Sequence, residues 1–131
     1  MKTILILDDE RIVRDSFADY FEDRLWRPIQ AESGEQALEL LENESPAAAV
    51  VDVRLGGMDG NAFIREARVK KPGMAFVICT GSPEYKVPHD FLGLTQVSNR
   101  LFKKPVISMA DMEKEILRVI ERIERKEVKD E

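Results

Sequence analysis

The sequence predicts an α/β fold, a doubly wound parallel sheet of five strands with helices on both faces, and three observations support this prediction. Short apolar runs without a polar interruption occur along the chain, as in residues 4–7 and 74–79, and such runs are typical of strands buried on both faces. Segments with apolar residues at helical spacing lie between these runs. No repeat, low-complexity tract or linker divides the 131 residues. We therefore predict one domain over residues 1–125, built from five βα units, and a charged tail over residues 126–131.

The first two units occupy the N-terminal third of the chain. The run Ile4–Leu7 is the first predicted strand, and the helix after it has an apolar stripe at spacings of three and four residues. This stripe consists of Val13, Phe17, Tyr20 and Phe21. Pro28 closes the first unit, and residues 29–31 can form a brief second strand. The sequence SGEQ at 33–36 is a capping-box pattern that opens a second helix, which Pro46 ends.

The third and fourth units begin with equally apolar strands. One strand starts at Ala47 with the sequence AAAVVDV, and the glycine-rich loop LGGMDG at 55–60 leads into a helix over residues 62–69. Pro72 and Gly73 then turn the chain into the strand MAFVICT. Both strands lack the polar alternation of a half-exposed strand, so we expect them to be buried on both faces of a parallel sheet.

The C-terminal part is less regular until the last helix. Residues 82–99 include Pro83 and Pro88 and show poor helical periodicity, so we predict a fourth helix that is short or irregular. Residues 100–102 form a short fifth strand. The inward stripe of the last helix is Met112, Ile116, Ile120 and Ile123. Ser108 is the predicted N-cap of this helix.

The composition excludes several classes of protein. Hydrophobic residues make up 44% of the chain and charged residues 34%, which is typical of a globular protein and not of a disordered one. The net charge of −5 and the mixing of basic with acidic residues leave no basic stripe for direct binding of nucleic acid. No apolar run approaches membrane-spanning length, and the N-terminus does not read as a secretory signal, so we expect no membrane insertion and a cytoplasmic location. The single cysteine, Cys79, is expected to be a small buried hydrophobic residue.

Side chains that can do chemistry follow the predicted strands. They are Asp8 and Asp9 after the first strand, Asp52 at the end of the third, Thr80 at the end of the fourth, and Lys103 and Lys104 after the fifth. Parallel strands bring their carboxyl ends to one edge of the sheet, where ligand sites of such folds lie. Neighbouring carboxylates repel one another, and a hard divalent cation such as Mg²⁺ would stabilise them. Each feature alone is explained as well by helix capping or loop chemistry, but the combination predicts a magnesium site with a hydroxyl and an ammonium beside it.

Four sequence motifs stand in one order along the chain: LILDDE, VVDVRLGGMDG, ICTG and FKKP. Together, from Ile4 to about Arg125, they resemble the receiver domain of bacterial two-component response regulators. The resemblance implies a (βα)5 flavodoxin-like fold. It also implies a signalling protein that takes up phosphoryl groups on its own aspartate and releases them slowly, rather than an enzyme that acts on other substrates.

The resemblance assigns a role to each residue at the strand ends. Asp52 would be the phosphoacceptor and would attack the phosphohistidine of a sensor histidine kinase or of a phosphotransfer protein. Lys104 would pair with the phosphate, with Lys103 as the alternative, and Thr80 would donate its hydroxyl to the same phosphate and move to report it. The implied ligands of Mg²⁺ are Asp8, Asp9, Asp52 and the backbone carbonyl of Arg54. The metal would neutralise charge on the phosphoryl oxygens.

The chain departs from the family pattern in places that bear on signal output. Receivers commonly carry an aromatic residue three positions before the lysine, where it turns inward when the threonine moves, but this chain has Leu101 there. Phe102 is one position off and should face the other side of the strand. The irregular fourth helix is a second departure. Gly56, in place of a common proline, is a third, and we expect it to add only flexibility.

Four further residues receive lesser predictions. Arg54 and Ser82 occupy positions that tune the hydrolysis of the aspartyl phosphate in this family. His89, the only histidine of the chain, is expected to lie on the surface, because the residues next to it in the sequence do not suggest a functional site. Trp26 is expected to be a packing residue at the end of the sheet away from the acids.

Three functions are compatible with these observations. The first is a stand-alone receiver that acts by binding an unidentified downstream protein, with a homodimer left open. The second is a degenerate receiver that serves only as an interaction module. Leu101 and the irregular fourth segment favour it, and the retention of all five site residues argues against it. The third is a small Mg²⁺-dependent phosphohydrolase with an aspartyl-phosphate intermediate. Enzymes of that type use an Asp-x-Asp pattern and a substrate cap, whereas here the acids are adjacent and no segment is left for a cap.

Overall fold

A computed structural model describes residues 1–130, with side chains described through Val128. The chain forms a five-stranded sheet in the order β2-β1-β3-β4-β5, and every neighbouring pair is parallel. The strands are β1 (Thr3–Leu7), β2 (Arg27–Ala31), β3 (Ala48–Val51), β4 (Ala75–Thr80) and β5 (Val97–Lys103). The helices are α1 (Arg11–Asp23), α2 (Gly34–Leu40), α3 (Gly60–Lys70) and α4 (Met109–Asp130), and a 3-10 helix spans His89–Phe91. The predicted doubly wound α/β fold is confirmed.

Both faces of the sheet are buried, because successive side chains of each strand point to opposite faces. In β1, Ile4 and Ile6 join a core under α1 and α4, whereas Leu5 and Leu7 join a second core under α2 and α3. All four side chains are buried. Burying one side chain of this size stabilises the fold by about 1.5–3 kcal/mol, so an uninterrupted apolar run is what a central strand requires.

Side-chain caps fix the start of three helices. The Ser33 hydroxyl accepts a hydrogen bond from the Gln36 amide at 3.1 Å, as the capping-box pattern predicts. Ser108 caps α4 in the same way, accepting from the Asp111 amide at 3.2 Å. The Asp59 carboxylate accepts from the Ala62 amide at 2.8 Å, a cap that we did not predict. For this reason α3 begins at Gly60, two residues before the predicted start.

The fourth helix is reduced to the three residues His89–Phe91, so the prediction of a short or irregular segment is confirmed. His89 is exposed, as expected. Strand β5 is longer than its predicted three residues because it begins upstream of a bulge. Phe76 is paired with Val97 and Ile78 with Leu101, so β5 places two more residues than β4 between the same two pairings.

The C-terminal helix is anchored to the far end of the sheet through one carboxylate. Glu113 accepts hydrogen bonds from Trp26 Nε1 at 2.9 Å, from Arg24 Nε at 3.1 Å and from the Tyr20 hydroxyl at 3.2 Å. Trp26 is buried and lies beside the start of β2, away from the acidic residues, so its packing role is confirmed. The indole N–H is satisfied in the core, as a buried tryptophan requires.

Helix α4 continues through residues 126–130 of the predicted tail, and Glu131 lies outside the described residues. None of the helices within residues 1–130 has both the length and the apolar character of a membrane span. Cys79 is buried in the core beneath α1 and α4. Burial raises the pKa of its thiol to about 12, which keeps the thiol protonated near neutral pH.

Candidate functional site

The carboxyl ends of three adjacent strands bring the predicted acidic residues and the hydroxyl to one edge of the sheet. Asp8 follows β1, Asp52 follows β3, and Thr80 ends β4. Their exposed fractions are 2%, 5% and 0%. A backbone hydrogen bond holds Asp52 beside the end of β1, since the Asp52 amide donates to the Leu7 carbonyl at 2.9 Å. A cavity of about 310 Å³ opens between Asp52, Thr80 and the loop that follows β4.

Lys104 places its ammonium between the two buried carboxylates. Its Nζ lies 2.5 Å from Asp8 Oδ2 and 3.2 Å from Asp52 Oδ2. The Lys104 amide donates to the Thr80 carbonyl at 2.9 Å, which fixes the lysine beside β4. Lys103 points elsewhere: it is exposed, and its Nζ donates to the Pro83 carbonyl at 3.3 Å. The geometry therefore favours Lys104 over Lys103 as the cation of this site.

Burial and charge act in opposite directions on the two partners of this ion pair. Burial raises the pKa of the Asp52 carboxyl, and the Lys104 charge opposes that shift without cancelling it, while Asp8 adds to it. Burial alone would lower the pKa of Lys104, but the bond to Asp8 and the charge of Asp52 outweigh it and raise that pKa. One ammonium thus faces two buried carboxylates, so negative charge remains in excess.

The acidic residues after β1 form a cluster that suits a hard cation. Carboxylate oxygens of Asp8, Asp9 and Glu10 all lie within 4.8 Å of one another, and Asp9 and Glu10 are exposed. The Glu10 amide donates to Asp8 Oδ1 at 2.9 Å, which fixes the turn. Oxygen donors of this kind fit Mg²⁺, which takes one or two carboxylates and keeps several waters. We did not predict Glu10 here; the third acid of the DDE run was the available signal.

Gly60 lets α3 approach the backbone of Asp52 directly. A Cβ atom at position 60 would lie 2.2 Å from the Asp52 carbonyl oxygen and 2.8 Å from Val53 Cα. No side chain fits at such distances, so glycine is required for this contact. Helix α3 therefore packs directly against the backbone of the buried Asp52.

A second set of contacts connects the acidic edge to the loop after β4. The Arg54 guanidinium donates to the Ser82 hydroxyl at 3.0 Å. The Ser82 amide donates to the Thr80 hydroxyl oxygen at 3.0 Å, and the Arg54 amide donates to Asp52 Oδ1 at 3.3 Å. We predicted Arg54 and Ser82 as separate residues; their contact depends on the loop conformation, which no sequence pattern specifies.

Comparison with known proteins shows which family shares this arrangement. The response regulator receiver domain family matches residues 4–116. Sporulation initiation phosphotransferase F from Bacillus subtilis is 30% identical over 81 residues, which cover 62% of this chain and 65% of that protein. Two further curated relatives are longer proteins, and this chain spans only 24% and 23% of their lengths.

Two solved structures show the same fold. A CheY-like response regulator receiver domain protein from Methanospirillum hungatei JF-1 superposes with a TM-score of 0.81 at 25% identity, over 96% of this chain and 98% of that chain. The response regulator TrrA from Thermotoga maritima, solved in complex with Mg²⁺ and BeF, superposes with a TM-score of 0.75 at 20% identity, over 91% and 99% of the two chains. The second likeness concerns the fold alone. Since the family match spans most of the sequence, this chain belongs to the response regulator receiver domain family.

Proposed function

We propose that this protein is a phosphorylatable switch in which Asp52 accepts a phosphoryl group in a Mg²⁺-dependent reaction and thereby changes the binding of a partner protein. Members of the family serve as phosphoacceptors in two-component signalling. The observation that carries the proposal is the position of the Lys104 ammonium between Asp8 and Asp52, beside the Thr80 end of β4. A buried nucleophile, a cation and a hydroxyl at one cavity are the components of phosphoryl transfer to a carboxylate.

The proposed step is a direct transfer between two side chains. An Asp52 oxygen forms a bond to phosphorus, and the phosphorus–nitrogen bond of the donor's phosphohistidine breaks, with the electron pair going to the imidazole. Lys104 pairs with the phosphoryl oxygens, and the Thr80 hydroxyl donates to one of them. The Asp52 backbone stays fixed meanwhile, since it is bonded to Leu7 and lies against Gly60.

The donor set of the site supports a bound Mg²⁺. Its proposed ligands are Asp8, Asp9, Asp52 and the backbone carbonyl of Arg54, and Glu10 lies close enough to contribute. Bound Mg²⁺ supplies positive charge that lets phosphoryl oxygens approach the carboxylates. Lys104 alone does not balance the charge of the site, which is why a second cation is expected to favour the reaction.

The partners follow from the family and stay proposals for this chain. The phosphoryl donor is a sensor histidine kinase or a phosphotransfer protein, and the output is an unidentified downstream protein. A cytoplasmic location and a homodimer remain predictions from the sequence. Within residues 1–130 no segment forms a substrate cap over the cavity, so the phosphohydrolase hypothesis gains no support from the fold.

The interaction-only hypothesis and the proposed switch differ in one measurement, the intact mass after incubation with a small phosphodonor such as acetyl phosphate and Mg²⁺. We expect wild type to gain one phosphoryl group, and we expect no gain with excess chelator or in the Asp52→Asn variant. If wild type binds Mg²⁺ in a titration but gains no mass, the protein is an interaction module and the proposal is wrong.

We further expect Arg54→Ala and Ser82→Ala to change the lifetime of the phosphorylated state more than the stability of the fold. The bond between these side chains closes one wall of the cavity, so its loss alters how water reaches the acyl phosphate. The decay rate should change by about fivefold, equivalent to about 1 kcal/mol in the barrier. Decay after removal of the donor and thermal unfolding measure the two effects. Lys86→Ala, an exposed change in the same loop, is the control. Unchanged decay in both variants would contradict this prediction.

A further inference from the structure

The loop of residues 81–88 leads from β4 to the 3-10 helix, and its side chains contact both Arg54 beside the cavity and Asn61 of α3. Its first part lines the cavity beside Asp52 through Gly81, Ser82 and Pro83. Its second part carries Tyr85, which lies half-buried on the face of the sheet that holds α2 and α3. A rearrangement of the residues that line the cavity can therefore move the Tyr85 ring, because both belong to the same short loop.

Ser82 is the first link of that path, because its amide and its hydroxyl are both bonded to residues of the site. The amide donates to the Thr80 hydroxyl oxygen, and the hydroxyl accepts from the Arg54 guanidinium, each at 3.0 Å. Ser82 itself is buried. A phosphoryl group on Asp52 carries about −1.5 to −2 charges in place of the single charge of the carboxylate, and it brings three strong acceptor oxygens. These oxygens would attract the Arg54 guanidinium and the proton of the Thr80 hydroxyl. Because Ser82 is bonded to both groups, we expect uptake to shift the contacts of Ser82.

Tyr85 is the second link. Its amide lies 3.5 Å from the Ser82 carbonyl, so a turn joins the two residues. The Tyr85 hydroxyl donates to the Asn61 side-chain oxygen at 2.8 Å, and Asn61 is the second residue of α3. The ring packs against the same core as Leu101. Tyr85 thus reaches from the loop to the helix that is seated on the Asp52 backbone.

No aromatic or aliphatic residue of β5 makes a contact like the hydrogen bond from Tyr85 to Asn61. Leu101 has no polar group, and Phe102 is buried in the core on the opposite face of the sheet, beneath the Arg100 guanidinium at 4.7 Å from the ring centre. Among the described rings on the α2 and α3 face, Tyr85 is the one that carries a hydroxyl and belongs to the loop that lines the cavity.

We propose that Tyr85 is the aromatic residue that reports phosphorylation: when Asp52 is phosphorylated, Ser82 exchanges its contacts, the turn moves, and the hydrogen bond between Tyr85 and Asn61 breaks. This inference rests on the proposed function, because it needs a phosphoryl group at Asp52. The loss of the bond frees the ring and the start of α3 together, and so presents a changed surface of loop 81–88 and α3 to a partner.

The chain has two tyrosines, which permits a direct test by ¹⁹F NMR of protein labelled with 3-fluorotyrosine. Beryllofluoride with Mg²⁺ serves as the phosphoryl analogue, and its own bound fluorine signal reports occupancy of Asp52. Tyr85→Phe and Tyr20→Phe assign the two tyrosine resonances. Tyr20 is an internal control, since it is bonded to Glu113 at the other end of the fold.

We expect the Tyr85 resonance to shift by more than its linewidth when the analogue binds, while the Tyr20 resonance stays in place. A bound analogue with an unmoved Tyr85 resonance would overturn the inference and leave the proposed function intact. Equal shifts of both resonances would also overturn it, because they would indicate a global change. An analogue that does not bind to the Mg²⁺-loaded wild type would overturn both.

A second measurement uses the reciprocity of coupled equilibria. If the Tyr85 bond exists only in the unphosphorylated state, Tyr85→Phe destabilises that state alone and should tighten binding of beryllofluoride by about two- to tenfold, the range for one hydrogen bond. Tyr20→Phe, a matched loss of one hydroxyl, should leave this affinity unchanged. An unchanged or weaker affinity in Tyr85→Phe would overturn the inference.

Discussion

Lys104→Met should lower the free energy of unfolding by about 3–5 kcal/mol in Mg²⁺-free buffer, the range for removing one partner of a buried ion pair. The ammonium is the positive charge between Asp8 and Asp52, whose side chains are 3% and 6% exposed. Without it, two desolvated carboxylates face each other, and their repulsion is weakly screened. Methionine keeps the length and much of the apolar stem of the side chain, so the effect reports the charge.

Lys103→Met is the matched control, because this neighbouring lysine is exposed and bonds only a carbonyl. Its stability should stay within about 0.5 kcal/mol of wild type. Both variants are compared by thermal and denaturant unfolding, with and without Mg²⁺. Added Mg²⁺ should recover part of the loss in Lys104→Met, since a ligand of the native state stabilises it by mass action. Equal stability of the two lysine variants would show that Lys104 does not balance the site.

Asp52→Asn should have the opposite effect, because burial and the neighbouring Asp8 raise the pKa of this carboxyl. It should raise the free energy of unfolding by about 0.5–2 kcal/mol in the same buffer, while it abolishes phosphoryl uptake. The substitution removes one of two buried carboxylates and leaves Lys104 paired with Asp8 at 2.5 Å. The amide keeps the shape of the side chain. Stability and function are therefore opposed at this position, as is common for groups that a reaction requires.

The pH dependence of that gain follows from the raised pKa of Asp52. A carboxyl with a raised pKa in the folded state contributes most to stability at acidic pH, and this contribution is lost as the pH rises through the folded pKa. The difference between Asp52→Asn and wild type should therefore be larger at about pH 7 than at about pH 4. A gain that shrinks with rising pH would contradict the expected direction.

Much of the fold could be predicted because the signals are local. Residues 4–7 and 48–51 bury every side chain of a central strand, and a sequence without polar alternation has few other uses. The position of the site followed from the same reasoning, since parallel strands place Asp8, Asp52 and Thr80 at one edge whatever the loops do. The roles of these residues stay predictions until phosphoryl uptake is measured.

The parts that could not be predicted depend on contacts distant in sequence. The start of β5 at Val97 depends on a bulge against β4, and the sequence of one strand does not encode the register of its partner. The contact of Arg54 with Ser82, and that of Tyr85 with Asn61, require a loop conformation that two prolines restrict but do not determine. Asp59 was a local signal within LGGMDG, but the glycines beside it suggested only a loop.

The two outer strands of the sheet work against amyloid-like growth of this protein. An unprotected strand edge can template pairing with another molecule, and natural proteins block it with prolines, bulges and charges. At one edge, β2 contains Pro28, which lacks a backbone donor. At the other, β5 is bulged and ends in the exposed Lys103. Among the described residues, each edge of the sheet thus carries an interruption that disfavours pairing with the edge of a second copy.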